Sequence, residues 1–150
     1  MQLSTIKLTN ELLRQIEREG CAAYPNECCG VLIGRDIPAV GGLASRIVER
    51  ITPLKNSFEA HEQYHRFKLD GLEYVRVEKE VTTVGQMILG FYHSHPDHPA
   101  RPSQYDLDHA WPFYSYVIVQ IVKKQPGIMT CWLLDEDKNE FVEQRIVSET

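Results

Sequence analysis

Met87-Ile88-Leu89-Gly90-Phe91-Tyr92 runs without a break into His93-Ser94-His95-Pro96-Asp97-His98-Pro99-Ala100-Arg101-Pro102-Ser103-Gln104-Tyr105-Asp106. An apolar run of that length reads as a buried strand. Side chains on a strand alternate between its faces, so His93 and His95 leave the strand's end on the same face. Two imidazoles so placed are poor core material and well set to share a metal ion. Pro96, Pro99 and Pro102 deny the following loop a regular hydrogen-bond ladder and stiffen its path. Ser103 then opens a helix that brings Asp106 back towards the histidines. Two His and one Asp leave a fourth tetrahedral position for water, the pattern of a catalytic zinc site.

Each half of this pattern has a simpler explanation. Ser103 with an acidic residue three positions later is a common helix N-terminus, and a lone histidine serves as a hydrogen-bonded rim residue as readily as a ligand. No folding requirement calls for both halves together. The two readings also compete, because a carboxylate engaged by metal has less capacity left to cap a helix.

The remainder of the chain reads as support. With 150 residues and 43% apolar content, one domain over residues 1–150 is expected, large enough to bury a proper core. A net charge of −5 argues against nucleic acid or an anionic membrane as partner. No apolar stretch approaches the roughly 18 residues of a membrane span, and Met1-Gln2-Leu3-Ser4 lacks the features of a signal peptide; a soluble, cytoplasmic protein is expected. Cys21, Cys28, Cys29 and Cys131 form no C-x-x-C pair, so they read as reduced, small apolar residues rather than a zinc knuckle.

In chain order, a helix capped by Thr9 or Asn10 and stopped by Gly20 comes first, with Leu8, Leu12, Leu13 and Ile16 as its apolar stripe. Tyr24-Pro25-Asn26-Glu27-Cys28-Cys29-Gly30 leads into a strand, Val31-Leu32-Ile33-Gly34. Glu27 stands directly before that buried run, where a carboxylate is costly without a partner; taken alone it is equally an exposed loop glutamate. Gly34 and Gly30 suit close backbone approach. Gly41-Gly42 reads as a turn into a second strand over residues 44–51. Asp70 and Glu73 form a capping box for a helix that runs to Val84 and stops at Gly85. The helix after Ser103 is expected to continue to Trp111 and break at Pro112. Strands over 116–122, 127–134 and 140–146 finish the chain, the last two as an antiparallel hairpin. This order predicts an α/β domain with a mixed, mainly antiparallel sheet and helices packed on it.

A rival metal motif lies in the middle. His61-Glu62-Gln63-Tyr64-His65 matches H-E-x-x-H, in which two helical histidines bind zinc and the glutamate is the base. Its polar neighbours Ser57, Glu59, Arg66 and Lys68 suit a solvated surface, and Asn56-Ser57 and Asp70-Gly71 leave little room for a long buried helix. The match reads as coincidence.

His93-Ser94-His95-Pro96 followed after six residues by Ser103-x-x-Asp106 resembles the JAMM (MPN+) signature of zinc metallopeptidases. Pro25-Asn26-Glu27-Cys28-Cys29-Gly30 is similar to that family's catalytic-glutamate stretch, and Leu89-Gly90-Phe91-Tyr92 to the apolar strand before its histidines. The resemblance spans nearly the whole chain and points to the small single-domain prokaryotic type. It implies a sheet sandwiched by helices, similar to the cytidine-deaminase fold. It further implies a zinc ion held by His93, His95 and Asp106, Glu27 as general base, and Ser103 as hydrogen-bond donor to the developing oxyanion. The implied activity is hydrolysis of peptide or isopeptide bonds after the C-terminal Gly-Gly tail of a ubiquitin-like or sulfur-carrier protein. Such a tail is expected to lie as an added strand at an exposed sheet edge, in a narrow cleft. The insertion that follows the motif in chain-specific eukaryotic relatives is absent. Two other classes stand beside this reading: a metal-free binding module of the same fold, and a zinc deaminase, for which the H-x-E and P-C-x-x-C elements are missing.

Overall fold

The computed structural model describes residues 4–38, 45–56 and 71–150. Thr5–Thr9 forms β1, and the first helix, α1, follows at once over Asn10–Ala23. The remaining elements are β2 (Cys29–Ile37), β3 (Ser45–Leu54), α2 (Gly71–Thr83), β4 (Met87–Pro96), α3 (Gln104–Asp108), β5 (Ser115–Val122), β6 (Gln125–Asp135) and β7 (Glu140–Glu149). The expected Gly41-Gly42 turn, the Asp70 half of the capping box and the His61-Glu62-His65 motif all lie outside the described residues.

The sheet is mixed, as expected, but it closes on itself in the order β1-β3-β2-β4-β5-β6-β7. This corrects the expectation of an open sheet sandwiched by helices. Closure depends on β1, which pairs in parallel with β3 on one side and with β7 on the other. Ile6 and Leu8, alternating with Thr5, Lys7 and Thr9, are both fully buried, a period-two pattern that the adjoining helical stripe obscured. Leu8 therefore belongs to the strand and not to the helix. Every described strand has two neighbours, but β1 covers β3 only over Ser45–Ile47, so the rest of β3 has β2 alone beside it among the described residues.

Two apolar clusters sit on opposite sides of the barrel wall. One gathers Ile6, Leu8, Leu32, Leu89, Tyr92, Val117, Val119 and Ile121 around Ile16 of α1. The other packs Val31, Ile33, Ile88, Phe91 and Tyr116 against Val77 and Val81 of α2. Thr9 caps α1 as expected, its hydroxyl oxygen accepting Leu12 N–H at 3.2 Å. Gly20, however, does not stop the helix. It is buried where α1 crosses the sheet, and a Cβ there would lie 2.8 Å from Ile121 Cδ1 and 3.4 Å from Ser94 Cβ. The glycine serves contact, so the helix runs three residues further. Gly85 does end α2, at φ 75°, with Gln86 N–H donating to Val81 O at 3.0 Å across the left-handed turn.

The expected helix to Trp111 is cut to the single short α3. Trp111 N–H donates to Tyr116 Oη at 2.8 Å instead of to a helical carbonyl, and Phe113 sits at φ 81°. The predicted Gln125-Pro126 turn is likewise displaced: Lys123 and Lys124, at φ 48° and 68°, make the reversal between β5 and β6. The β6–β7 hairpin is as expected, antiparallel from Cys131↔Gln144 to Asp135↔Glu140.

Candidate active site

The β2–β4 register builds the centre. Cys29 pairs with His93 and the two strands are antiparallel, so the segment entering β2 passes alongside Ser94 and His95. Ser94 fastens that passage from both of its polar groups. Its N–H donates to Cys28 O at 3.2 Å, and its hydroxyl oxygen accepts Cys28 N–H at 2.8 Å. Asn56 Nδ2 adds a donation to Glu27 O at 3.3 Å. Glu27 is thereby delivered into the buried space of the histidines, with one ligand atom from each of Glu27, His93 and His95 lying within 4.8 Å of the others.

His93 Nε2 and His95 Nε2 converge to 3.2 Å. Asp106 Oδ2 lies 3.2 Å from His95 Nε2 and 3.4 Å from His93 Nε2. A tetrahedron with zinc-length bonds of about 2.0–2.1 Å has edges of roughly 3.3–3.4 Å. The three donors thus form a triangle of the size that a tetrahedral zinc ion requires. His95 Nδ1–H donates to Pro99 O at 2.7 Å, which leaves the Nε2 lone pair free for a cation. The residues fit the metal.

Asp106 caps α3 and faces the two histidines at once, so cap and candidate ligand are compatible. Ser103 N–H donates to Asp106 Oδ2 at 2.9 Å, and Ser103 Oγ accepts Asp106 N–H at 3.1 Å. The same carboxylate oxygen faces the two imidazoles, because its lone pairs serve more than one donor. α3 is therefore a short bracket whose cap aims the carboxylate. Ser103 itself is exposed, and its hydroxyl proton remains available for donation.

Electrostatics separates the two carboxylates. Burial alone would raise the Asp106 carboxyl, but the facing His93 and His95 and the Ser103 amide outweigh it and hold the group well below the usual carboxylate range. At Glu27 burial prevails and pushes the carboxyl up to about 8, with His95 pulling it down and Asp106 adding to the rise. Glu27 Oε1 is buried and has no hydrogen-bond partner among the described residues. The two carboxyls are thus pushed in opposite directions, Asp106 towards the anion and Glu27 towards the protonated form.

Three features escaped the sequence reading. His98, expected only as a loop or surface residue or a rim of the cleft, stacks its ring on His95 at 4.3 Å between centroids while Nδ1–H donates to Pro96 O at 2.8 Å. Asp97, at φ 58°, ties three segments together. It accepts the Tyr24 hydroxyl and Lys123 N–H at 2.8 Å, and donates its own N–H to Ile121 O at 2.7 Å. The third is a cavity of about 470 Å³ opening beside His93 and Asp106, walled mainly by aromatic rings. Its rings come from α2, β4, β5, β7 and the chain around α3, so no linear pattern announces it.

Fold and site together define an enzyme of the JAB class with a candidate metal site, and its relatives agree. The chain belongs to the prokaryotic homologs of the JAB domain, whose family model matches residues 9–135. Among curated proteins it is similar to the desampylase of Haloferax volcanii, 37% identical over 103 residues that cover 67% of this chain and 68% of that protein. With that family and that relative, the chain is a hydrolase of the isopeptidase kind. Among solved structures, one from Desulfitobacterium hafniense is 32% identical with a TM-score of 0.79, covering 96% of this chain and 92% of that one. Another, from Salinibacter ruber, is 34% identical with a TM-score of 0.67, covering 97% and 91%. A JAB1/MPN domain protein from Archaeoglobus fulgidus shares the fold, at 22% identity and a TM-score of 0.56, over 95% and 98% of the two chains. No helix among the described residues is long and apolar enough to cross a membrane.

Proposed function

We propose that this chain is a zinc-dependent peptidase or isopeptidase that cleaves after the C-terminal Gly-Gly of a ubiquitin-fold or sulfur-carrier protein, and that one domain carries the activity. The observation that carries the reading is the buried triangle of His93 Nε2, His95 Nε2 and Asp106 Oδ2 with Glu27 beside it. The similarity to a protein named desampylase supports a ubiquitin-like substrate. Four free cysteines suit a reducing, cytoplasmic setting.

His93, His95 and Asp106 would hold the zinc. Bound there, the ion supplies a water whose pKa is lowered towards neutrality and a Lewis acid for the scissile carbonyl. Glu27 takes the proton from the attacking water and returns it to the departing amine as the C–N bond breaks. The hydroxyl enters the carbonyl carbon, so the products are a carboxylate and a free amine. Ser103 Oγ–H is the donor to the carbonyl oxygen as charge develops on it, a contribution of about 3–4 kcal/mol when such a donor is well aimed.

The test is metal analysis combined with hydrolysis of a Gly-Gly-extended ubiquitin fusion. One zinc per chain is expected, lost in His93→Ala and in His95→Ala and kept in His61→Ala. Zinc lost in His61→Ala but kept in His95→Ala would move the site to the rival motif. Carrier binding without any hydrolysis or zinc would leave a binding module.

A further inference from the structure

We infer that the aromatic cavity beside the metal ligands receives a bulky apolar side chain, aromatic for preference, carried by the residue immediately after the scissile bond. The inference rests on the hydrolase reading above and adds a specificity to it.

Position is the first argument. His93 and Asp106 form part of the cavity wall, so a group that fills the cavity sits within about one residue of the reacting carbonyl. On the acyl side of that carbonyl a Gly-Gly tail offers no side chain. The leaving side is where a group able to occupy the space must come from.

The chemistry of the wall is the second. The Tyr74 and Tyr114 hydroxyls hydrogen-bond each other at 2.5 Å, and Tyr116 Oη accepts Trp111 N–H at 2.8 Å. Those hydroxyls are engaged among themselves, which leaves ring carbon to line the space. Phe91 meets Tyr114 edge-on at 5.2 Å and Tyr116 meets Phe141 edge-on at 5.8 Å, so the rings brace one another in the arrangement aromatic groups favour. Apart from Asp106, no carboxylate, lysine or arginine lines the cavity among the described residues. An aromatic side chain is matched over most of this wall, whereas an acidic or unsubstituted residue is not. The reaction so favoured, among linear extensions of the tail, is hydrolysis of the peptide bond to such a residue. Water's hydroxyl goes to the glycine carbonyl carbon and its proton to the amine of a released apolar residue or short apolar peptide.

The experiment uses the zinc-loaded full chain and four substrates built on ubiquitin. Three carry a single extra Phe, Gly or Asp after Gly-Gly, and the fourth joins Gly-Gly to the ε-amine of free lysine. We expect kcat/KM for the Phe form to exceed the Gly and Asp forms by at least tenfold; the lysine form reads the isopeptidase activity itself. Trp111 is largely exposed at the cavity mouth, so Trp111→Ala spares the core. It should shrink the Phe-to-Gly ratio to below about threefold, a readout that general loss of fold would not move. Equal rates for Phe, Gly and Asp would overturn the inference and leave the hydrolase reading standing. No cleavage of any of the four by zinc-loaded enzyme would overturn both.

Discussion

Glu27 and Asp106 are carboxylates in one buried space whose acidities are pushed in opposite directions. The difference is environmental. Asp106 faces two imidazoles and an amide, whereas burial dominates at Glu27 and leaves one oxygen unpartnered. Glu27→Gln preserves shape and removes the basic oxygen. It should keep one zinc per chain and lower kcat by about 10²–10⁴-fold; normal turnover at full zinc occupancy would remove Glu27 from the mechanism. At this scale the sequence was informative about ligands because His-x-His at a strand end and Ser-x-x-Asp at a helix start are local patterns. It said nothing decisive about Glu27, whose partners lie far along the chain. It was silent on Asp97, whose three bonds go to Tyr24, Ile121 and Lys123.

Among the elements, β4 carries the site, and its pairing with β5 leaves no tolerance. A Cβ at Gly90 would lie 1.8 Å from Ser115 O and 2.6 Å from Ser115 N, backbone atoms that a side-chain rotation cannot relieve. Gly90→Ala is expected to destabilise the fold by about 3 kcal/mol or more and, by shifting the strand, to weaken zinc binding at low temperature. An unchanged urea midpoint with full zinc occupancy would show that β4 and β5 separate easily, contrary to this register. Element identity was largely legible: α2 and its Gly85 stop, β4, β5 and the β6–β7 hairpin follow from periodicity and turn residues. Gly20 shows the limit of such signals. A helix-stopping glycine and a helix-crossing glycine look alike in sequence, and only the proximity of Ile121 and Ser94 tells them apart. β1 was missed because its short alternation abuts a helix with a matching apolar residue.

At the level of the whole molecule, a buried polar chain ties the barrel across its closure. Arg46 of β3 donates to Leu89 O at 3.0 Å and Ser115 Oγ at 2.9 Å. Ser115 Oγ–H donates to Gln144 Oε1 at 2.7 Å, and Gln144 Nε2 to Thr5 O at 3.3 Å, so β3, β4, β5, β7 and β1 share one network. Gln144→Leu would strand the Ser115 hydroxyl and the Thr5 carbonyl in a dry interior, a loss of about 2–3 kcal/mol. We expect a lower urea midpoint with zinc stoichiometry unchanged in the folded protein; a stabilised variant would mean that the network does not help to hold the closure. By itself the sequence determined the mixed α/β class, most element positions and the candidate grouping of His93, His95 and Asp106, because each of these follows from spacing within one short segment. Only the tertiary structure decided that the sheet closes and that Glu27 meets the histidines. Barrel closure, the β2–β4 register and the aromatic cavity all depend on contacts between segments distant in the chain, and the free energy of those contacts is invisible to any local pattern.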